Sequence, residues 1–329
     1  MIILRGILKI KKDLKYFLDS YKEEDIMNNK YFKEYADDWL ALKKLTIKQT
    51  TFQRYEDCLN NHILPVFGNK QMNEINDEII INYFITKQYL SFSTLKMNKY
   101  IIQAIINLAN EYIQIQKIHF DYIKLKPEKQ TNKALDDQDY ILLTKYAMNN
   151  MSNISVCILL GLYTGLRIGE VCALQWKDVD FKQGCLYVSK TIVRIRTEQK
   201  QTKTCLQVTS PKTITSNRCV PIPEFVLNYL KKYKDGNSDD YISSNKKNFF
   251  DPRTIQKSFK QLMKKLNLSE RYHFHSLRHT YGTKCIMHNI DVKSVCEMMG
   301  HSNVSITLSL YVHTSFQYKK ELVNRFTAP

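Results

Sequence analysis

One stretch of ten residues divides this chain into two parts, each with its own apolar pattern. Residues 124–133 read Lys-Leu-Lys-Pro-Glu-Lys-Gln-Thr-Asn-Lys, show no apolar periodicity and include Pro127. A polar stretch that contains proline is typical of a linker between domains. The 329 residues are enough for two domains that each bury a core. We therefore predict a linker over 124–135, between a first domain at 31–123 and a second at 136–311.

The first domain is predicted to consist of helices. Apolar residues recur at helical spacing in four segments, and Ser91 and Thr94 offer capping side chains where the last one begins. Pro65 and Gly68 disfavour continuation of a helix, so a break is predicted at 62–68. The predicted helices are 31–44, 48–63, 77–88 and 91–115.

The second domain is predicted to combine helices with a small sheet. A strand-rich stretch with alternating or β-branched residues lies between two groups of helical segments. The predicted strands are 185–188, 193–196, 204–208 and 218–222. The predicted helices are 136–148, 154–162, 224–233, 251–266, 275–288, 291–300 and 305–311. The fold class is therefore mainly α with a small antiparallel β-sheet, in which a helical domain precedes an α+β domain.

The charge of the chain indicates a large anionic partner. Lys and Arg number 49 against 32 Asp and Glu, which gives a net charge of +17. Because such an excess repels itself in the folded state, nucleic acid is the first candidate partner and an anionic membrane the second. The sequence has no run of roughly 18 uncharged apolar residues, as a membrane-spanning helix requires. Residues 1–10 lack the cleavage site of a secretory signal, so we expect a cytoplasmic protein.

The pattern of the eight cysteines also favours a cytoplasmic protein. They are scattered along the chain without a Cys-x-x-Cys pair, and several lie in apolar runs. Buried reduced thiols in a cytosolic protein are the expected outcome. No metal site is predicted, because the sequence offers no cluster of zinc ligands at the usual spacing.

Four separated segments each place a phosphate-binding or proton-transferring side chain beside a turn or a helix start. Arg167 lies in Thr-Gly-Leu-Arg-Ile-Gly-Glu, where Gly165 and Gly169 let the backbone come close to a ligand. Lys212 follows Pro211 in a predicted turn between two strands. Taken alone, such an arginine is more often structural, and such a lysine is more often a solvated surface charge.

The third and fourth segments add histidine, arginine and tyrosine. His275 and Arg278 stand three residues apart near a helix start, hence on one face, and can present an imidazole and a bidentate guanidinium to one phosphate. A solvated basic helix start is the alternative for this pair. His301 follows Gly300 in a turn, and Tyr311 comes ten residues later. One tyrosine among 21 carries no information by itself.

The ordered set Arg, Lys, His-x-x-Arg, Gly-His and Tyr resembles the tyrosine recombinase (phage integrase) family. Thr-Gly-Leu-Arg-Ile-Gly-Glu, His-Ser-Leu-Arg-His-Thr and Met-Gly-His-Ser-Asn look like its motif boxes, and Leu-Tyr-Val-His at 310–313 looks like its nucleophile box. The resemblance is strong over 136–318 and weaker over 31–124, where the helices resemble the core-binding domain of the family. The second domain would then be the catalytic domain.

The resemblance implies that Tyr311 attacks a DNA phosphodiester and forms a covalent 3′-phosphotyrosyl link. It also implies that Lys212 is the general acid for the departing 5′ oxygen. Lys200 and Lys203 lie in the same region and are the alternatives to Lys212. His275 would accept a proton or orient the tyrosine. The reaction would need neither a metal ion nor ATP.

The remaining roles concern the charge on the phosphate. The resemblance implies that Arg167 and Arg278 bind the non-bridging oxygens and that His301 adds another donor. Glu170, one turn after Arg167, matches the acidic position of the family. We interpret it as a support for the arginine, with an ordinary helix charge as the alternative.

The same resemblance suggests where DNA and other subunits bind. Five residues cluster where the long helix of the family's core-binding domain meets DNA, although a solvated polar helix start is an equal alternative. They are Ser93, Thr94, Lys96, Asn98 and Lys99. Residues 1–30 form a basic helical lead, in which residues 9–24 resemble the last helix of an arm-binding domain. Residues 312–329 resemble the tail that packs onto a neighbouring protomer, which predicts a tetramer on double-stranded DNA attachment sites.

The expected function is integration and excision of a mobile element in a bacterium, in association with the nucleoid. An excisionase or a host DNA-bending protein would be an accessory partner. A chromosome-dimer resolvase of the same family and a type IB topoisomerase use the same residue types. The wording of the motifs favours a recombinase over the topoisomerase, and the lead of 1–30 argues against the resolvase. A non-catalytic DNA-binding regulator would be expected to lack Tyr311 or an arginine.

The net charge predicts that DNA binding weakens steeply as the salt concentration rises, because each neutralised phosphate releases counterions. The measurement is the dissociation constant for a duplex of unrelated sequence, determined over a series of KCl concentrations. A dissociation constant that does not change with salt would contradict the prediction.

Overall fold

The computed structural model describes residues 30–127, 134–197, 204–209 and 217–300. Two units, Met1–Lys129 and Gln130–Pro329, divide the chain at a point inside the predicted linker. Most of the lead of 1–30, the predicted helix 305–311 and the tail of 312–329 lie outside the described residues, as does part of the linker.

The first unit is helical, and its apolar residues enclose one core. Its helices are α1 (Phe32–Thr46), α2 (Gln49–Cys58), α3 (Leu64–Phe67), α4 (Asp77–Thr86) and α5 (Phe92–Ala109). The side chains of Phe32, Ile63, Phe67, Tyr83 and Ile101 are almost completely buried in the core.

Two boundaries in the first unit differ from the prediction. The predicted break at 62–68 is wrong, because a π-helical turn at Leu59–Ile63 leads directly into α3. Pro65 lies in the first turn of α3, directly after the π-helical turn. The last predicted helix ends at Ala109 rather than near Ile115. The side chain of Asn110 accepts a hydrogen bond from the Ile115 backbone nitrogen at 3.3 Å, which stabilises the turn after the helix.

The second unit combines helices with two small antiparallel sheets. Its helices are α6 (Asp137–Asn149), α7 (Asn153–Thr164), α8 (Ile168–Ala173), α9 (Glu224–Tyr233), α10 (Pro252–Lys265), α11 (Phe274–Met287) and α12 (Val292–Met299). Its strands are β1 (Val179–Asp180), β2 (Cys185–Val188), β3 (Thr191–Arg196), β4 (Thr204–Thr209) and β5 (Arg218–Pro221). The four predicted strands are confirmed within two residues, and β1 was not predicted.

The strands form two sheets where one was expected. One sheet has the order β1-β2-β5, and the other is the β3-β4 hairpin. In the first sheet Val188 pairs with Arg218, and in the second Thr191 pairs with Thr209. The predicted fold class, mainly α with small antiparallel β structure, is confirmed.

Helix α7 is the centre of the second unit. Almost all of its side chains are buried, as expected for a helix that is apolar on every face. It packs against α6, α8, α9, α10 and α11. At Gly161 a methyl group would lie 2.9 Å from the Leu277 side chain of α11, so the two helices approach closely there. This close packing fixes the face of α11 that carries Arg278.

All eight cysteines are free thiols, and six of them are buried. None of the helices in the described parts of the chain is long and apolar enough to span a membrane.

Asn98 does not fit its predicted place on a DNA-binding surface. Its side chain is completely buried, and its amide Nδ2 donates a hydrogen bond to the hydroxyl of Tyr83 at 2.9 Å. A side chain held inside the core cannot reach DNA, so the prediction for Asn98 is wrong. Ser93 and Lys96 are exposed and Thr94 is half-buried. Lys99 is also half-buried, and its Nζ donates to the backbone oxygen of Ile123 at 3.0 Å.

Replacing Asn98 by alanine should lower the free energy of unfolding by about 1–3 kcal/mol, because the buried Tyr83 hydroxyl loses its partner. Urea unfolding followed by circular dichroism measures the change. Lys96→Ala is the matched control, since Lys96 is exposed and close by on the same helix, and should leave stability nearly unchanged. An Asn98→Ala variant as stable as wild type would contradict the assignment.

Candidate active site

Arg167 is placed by the turn that joins α7 to α8. Gly165 ends α7 in the left-handed conformation, with a φ of 63°, and Arg167 is the residue that precedes the first turn of α8. Its Nη1 donates to Glu170 Oε1 at 2.9 Å, and its Nη2 donates to the backbone oxygen of Gly300 at 3.1 Å. The side chain remains 40% exposed. The guanidinium is therefore held through its terminal nitrogens and still accessible to a ligand.

Glu170 is buried and accepts hydrogen bonds from two arginines. Its side chain is 3% exposed, and its Oε2 accepts from the backbone nitrogen of Arg167 at 2.9 Å. Arg218 at the start of β5 donates to the same carboxylate with both terminal nitrogens, at 3.3 and 2.9 Å. Burial alone would raise the pKa of Glu170, but the hydrogen bonds and charge of Arg218, together with Arg167, outweigh it and lower that pKa. Glu170 is thus a charged support for the arginines.

Arg278 is the most deeply buried of these arginines. The residue is 2% exposed, and its two terminal nitrogens donate to the backbone oxygens of Gly165 at 2.6 Å and Met299 at 2.5 Å. Burial, followed by the charge of Arg167, lowers its pKa to about 9. The guanidinium therefore still carries its charge at neutral pH.

His275 lies one turn before Arg278 on α11 and is exposed. Its ring lies 4.7 Å from the ring of His279, measured between centroids, and at nearly a right angle to it. Partial desolvation, followed by the charges of His279 and Arg278, lowers the pKa of His275 to about 4. A neutral imidazole at physiological pH can accept a proton.

The C-terminal turn of α12 brings the arginines together. Its three successive carbonyl oxygens, those of Met298, Met299 and Gly300, accept hydrogen bonds from three different arginines. The donors are Arg218 at 2.7 Å, Arg278 at 2.5 Å and Arg167 at 3.1 Å, in that order. The last carbonyls of a helix have no partners within it and form the negative end of its dipole. Gly300, with a φ of 62°, ends the helix in the left-handed conformation.

Three guanidinium groups and one carboxylate, those of Arg167, Arg218, Arg278 and Glu170, thus form one hydrogen-bonded cluster with α12. This arginine cluster has two more positive than negative side-chain charges. Backbone carbonyls are neutral acceptors, so the excess charge remains to attract an anion. A phosphate with two non-bridging oxygens matches paired guanidinium groups.

The predicted site residues divide into two groups. Arg167, Glu170, His275 and Arg278 are close together around α11 and the end of α12. Lys212, His301 and Tyr311 lie outside the described residues. In the sequence, His301 directly follows Gly300, and Lys212 stands between the end of β4 and the start of β5.

Two details were missed or misjudged from the sequence. Arg218 was taken only as the start of a strand, although a charged residue in a short apolar strand is the signal that could have indicated a buried partner. Gly165 and Gly169 were expected to admit a ligand. A methyl group at Gly169 would lie 2.5 Å from the Thr191 side-chain oxygen, so this glycine lets α8 pack on β3. Gly165 instead supplies the left-handed turn and a carbonyl for Arg278.

Comparison with known proteins identifies the family of this chain. Residues 128–318 match the phage integrase family, and residues 31–89 match its N-terminal SAM-like domain. A tyrosine recombinase XerC-like protein of Caldanaerobacter subterraneus subsp. tengcongensis is 27% identical over 316 residues, which cover 87% of this chain and 80% of that protein.

Two solved structures share the fold. The integrase of transposon Tn1549, in complex with transposon right end DNA, is 21% identical with a TM-score of 0.76, over 91% of this chain and all of that one. A lambda integrase tetramer bound to a Holliday junction is 18% identical with a TM-score of 0.63, over 86% of this chain and 78% of that one. Since the family match covers more than half of the chain, this protein belongs to the phage integrase family of tyrosine recombinases, which are DNA strand-transfer enzymes. The resemblance seen in the sequence motifs is confirmed.

His275 should remain neutral to well below pH 6, with its ring resonances titrating near pH 4 in an NMR experiment. An unfolded histidine has a pKa of about 6.5, so the unfolded chain binds the proton first and stability falls as the pH falls below that value. His279→Gln should raise the midpoint of His275, because it removes a neighbouring group that opposes its protonation. A midpoint of His275 near the unfolded value in the wild-type protein would contradict the description.

Proposed function

We propose that this protein is a site-specific recombinase that cleaves and rejoins duplex DNA through Tyr311. The observation that supports this most strongly is the convergence of Arg167 and Arg278 on adjacent carbonyls of the α12 end. His301 comes next in the sequence, and Tyr311 follows ten residues later. The two arginines and the residues that follow α12 would then share one phosphate.

In the proposed reaction the Tyr311 oxygen attacks the phosphorus, and the bond from phosphorus to the 5′ oxygen breaks. The product is a 3′-phosphotyrosyl link and a free 5′ hydroxyl. Arg167 and Arg278 would stabilise the charge that develops on the non-bridging oxygens, and His301 would add a donor. Arg167 is already held in place and 40% exposed, so it needs little reorganisation when the DNA binds. Arg278 is 2% exposed, so its guanidinium must become accessible before it can donate to a phosphate.

Two protons must move in this step. Lys212 would give one to the departing 5′ oxygen, with Lys200 and Lys203 as alternatives in the same hairpin region. His275 would take the tyrosine proton or orient the phenol. Its lowered pKa keeps the imidazole neutral, but the same lowering makes it a weaker base. Resealing reverses both transfers when another 5′ hydroxyl attacks the phosphotyrosine.

The proposal requires neither a metal ion nor ATP. The phosphotyrosyl ester retains the bond energy of the phosphodiester, so rejoining needs no separate energy source. The positive charge that a metal ion supplies in other phosphoryl-transfer enzymes would come from the arginine cluster.

DNA contact in the first unit would involve Ser93, Thr94 and Lys96, which the first turns of α5 present outside the core. Lys99 would join them only after leaving the carbonyl of Ile123. The lambda integrase tetramer on a Holliday junction supports a tetramer on DNA for this protein as well. Exchange of residues 312–329 between protomers stays a prediction from the sequence. The substrates would be attachment sites on the bacterial nucleoid, with an excisionase or a host DNA-bending protein as an accessory.

We favour integration and excision of a mobile element as the biological role, by analogy with the Tn1549 integrase. The similarity to a XerC-like recombinase favours the second candidate, resolution of chromosome dimers. The sequence of the DNA beside the gene separates the two roles. Element-specific attachment sites next to the gene support integration, and their absence supports the resolvase.

Tyr311→Phe should bind DNA nearly as well as wild type but form no covalent complex, because phenylalanine has no oxygen to attack phosphorus. The assay uses a duplex nicked near the cleavage site, which traps the covalent protein–DNA adduct on a denaturing gel. Tyr187→Phe, at an exposed position of β2, is the matched control and should be trapped normally. A trapped adduct with Tyr311→Phe would exclude Tyr311 as the nucleophile.

A further inference from the structure

Arg218 joins three parts of the second unit through one side chain. It lies at the start of β5, its side chain is only 5% exposed, and it donates to both oxygens of Glu170. Its Nε also donates to the backbone oxygen of Met298 at 2.7 Å. Strand β5, the segment that follows α7 and the end of α12 are therefore connected at a single buried guanidinium.

The ion pair between Arg218 and Glu170 is poorly explained by stability alone. Removing two charges from water costs several kcal/mol per ion, and well-packed apolar residues of similar volume often stabilise a fold as well or better. What a bidentate pair adds is orientation, because its two parallel hydrogen bonds fix the planes of both groups. A role in geometry is the better explanation for a pair buried at this position.

Arg218 binds Glu170 and the Met298 carbonyl, and both lie next to the arginines that are proposed to bind the phosphate. Glu170 in turn holds Arg167 through its backbone nitrogen and its Nη1, both at 2.9 Å. The Met298 carbonyl directly precedes the carbonyls that bind Arg278 and Arg167. A methyl group on Gly300 would lie 3.1–3.3 Å from the guanidinium of Arg218, so the backbone just before His301 packs against it.

We propose that Arg218 is a positioning residue of the recombinase, which aligns Arg167 and the end of α12 for attack on the phosphate. It acts through Glu170 and the Met298 carbonyl and does not touch the DNA. The inference rests on the proposed function, because it assigns Arg218 a part in the strand cleavage described above.

The proposal has a consequence for pH dependence. The groups that face Glu170 are Arg218 from β5 and Arg167 at the start of α8, with Arg278 of α11 nearby. Without Arg218, the buried carboxylate loses its bidentate partner and its protonation becomes easier. Protonated Glu170 no longer holds Arg167 as an ion pair, so cleavage should be lost at a higher pH than in the wild type.

The experiment is single-turnover cleavage of the nicked duplex at saturating protein, from about pH 5 to about pH 9, with wild type, Arg218→Met and Arg218→Gln. Both variants should cleave on the order of 100-fold more slowly, as expected for a misplaced reacting group. The low-pH side of their pH–rate profile, called the acid limb below, should move to higher pH by about 1–3 units. This is the usual effect on a pKa of removing an adjacent opposite charge. DNA affinity should stay close to that of wild type, because Arg218 does not contact DNA.

Three further variants separate positioning from general destabilisation. Arg218→Lys retains a charge beside Glu170 and should return the acid limb towards that of wild type, with an intermediate rate. Glu170→Gln combined with Arg218→Met removes the titrating group, so its acid limb should not be shifted upward. Arg253→Met removes one exposed arginine on α10 and should match wild type.

An acid limb unchanged in both Arg218→Met and Arg218→Gln would overturn the proposal, even if both cleave slowly. If Arg218→Met does not fold, which thermal unfolding shows, Arg218→Gln alone decides, because it keeps hydrogen-bond donors. If wild type itself forms no covalent adduct, the proposed function fails instead. If wild type and the Arg218 variants all cleave equally, only the positioning role fails.

Discussion

The interaction on which the site depends is the one between three arginines and the end of α12. Arg218, Arg278 and Arg167 donate in turn to the carbonyls of Met298, Met299 and Gly300. These carbonyls would otherwise lack partners, and the positive charges would repel one another. The arginines supply donors to the unpartnered carbonyls. In turn, the negative end of the helix dipole reduces the repulsion between the guanidinium groups that meet there.

The rest of the second unit holds this arrangement in place. The buried helix α7 ends at Gly165, whose left-handed conformation turns the chain so that Arg167 begins α8 and the Gly165 carbonyl receives Arg278. The close approach of α7 and α11 at Gly161 fixes the position of α11, and with it that of Arg278, relative to α7. Glu170 supplies the single negative side chain of the cluster. The site is thus assembled from segments distant in sequence, of which α8 and α11 pack directly on α7.

The sequence could predict most elements and the family motifs, but not which side chains share hydrogen-bond partners. Strands β2 to β5 followed from alternation and β-branched residues, and Arg167, His275 and Arg278 followed from their motifs. Asn98 shows the limit, since a polar residue in a polar-looking segment turned inward to the Tyr83 hydroxyl. Arg218 shows the converse, because only the fold reveals that it meets Glu170. Local pattern indicates the type of element, whereas burial of an individual polar group depends on tertiary packing.

The most direct test of this account is a crystal structure of the Tyr311→Phe protein on its DNA site. We predict that Arg167 and Arg278 both donate to non-bridging oxygens of the same phosphate, with the substituted aromatic ring at position 311 beside it. We also predict that Arg218 remains on Glu170 and the Met298 carbonyl, away from the DNA. A phosphate bound by Arg218, or a complex in which Arg167 and Arg278 bind different phosphates, would contradict the account.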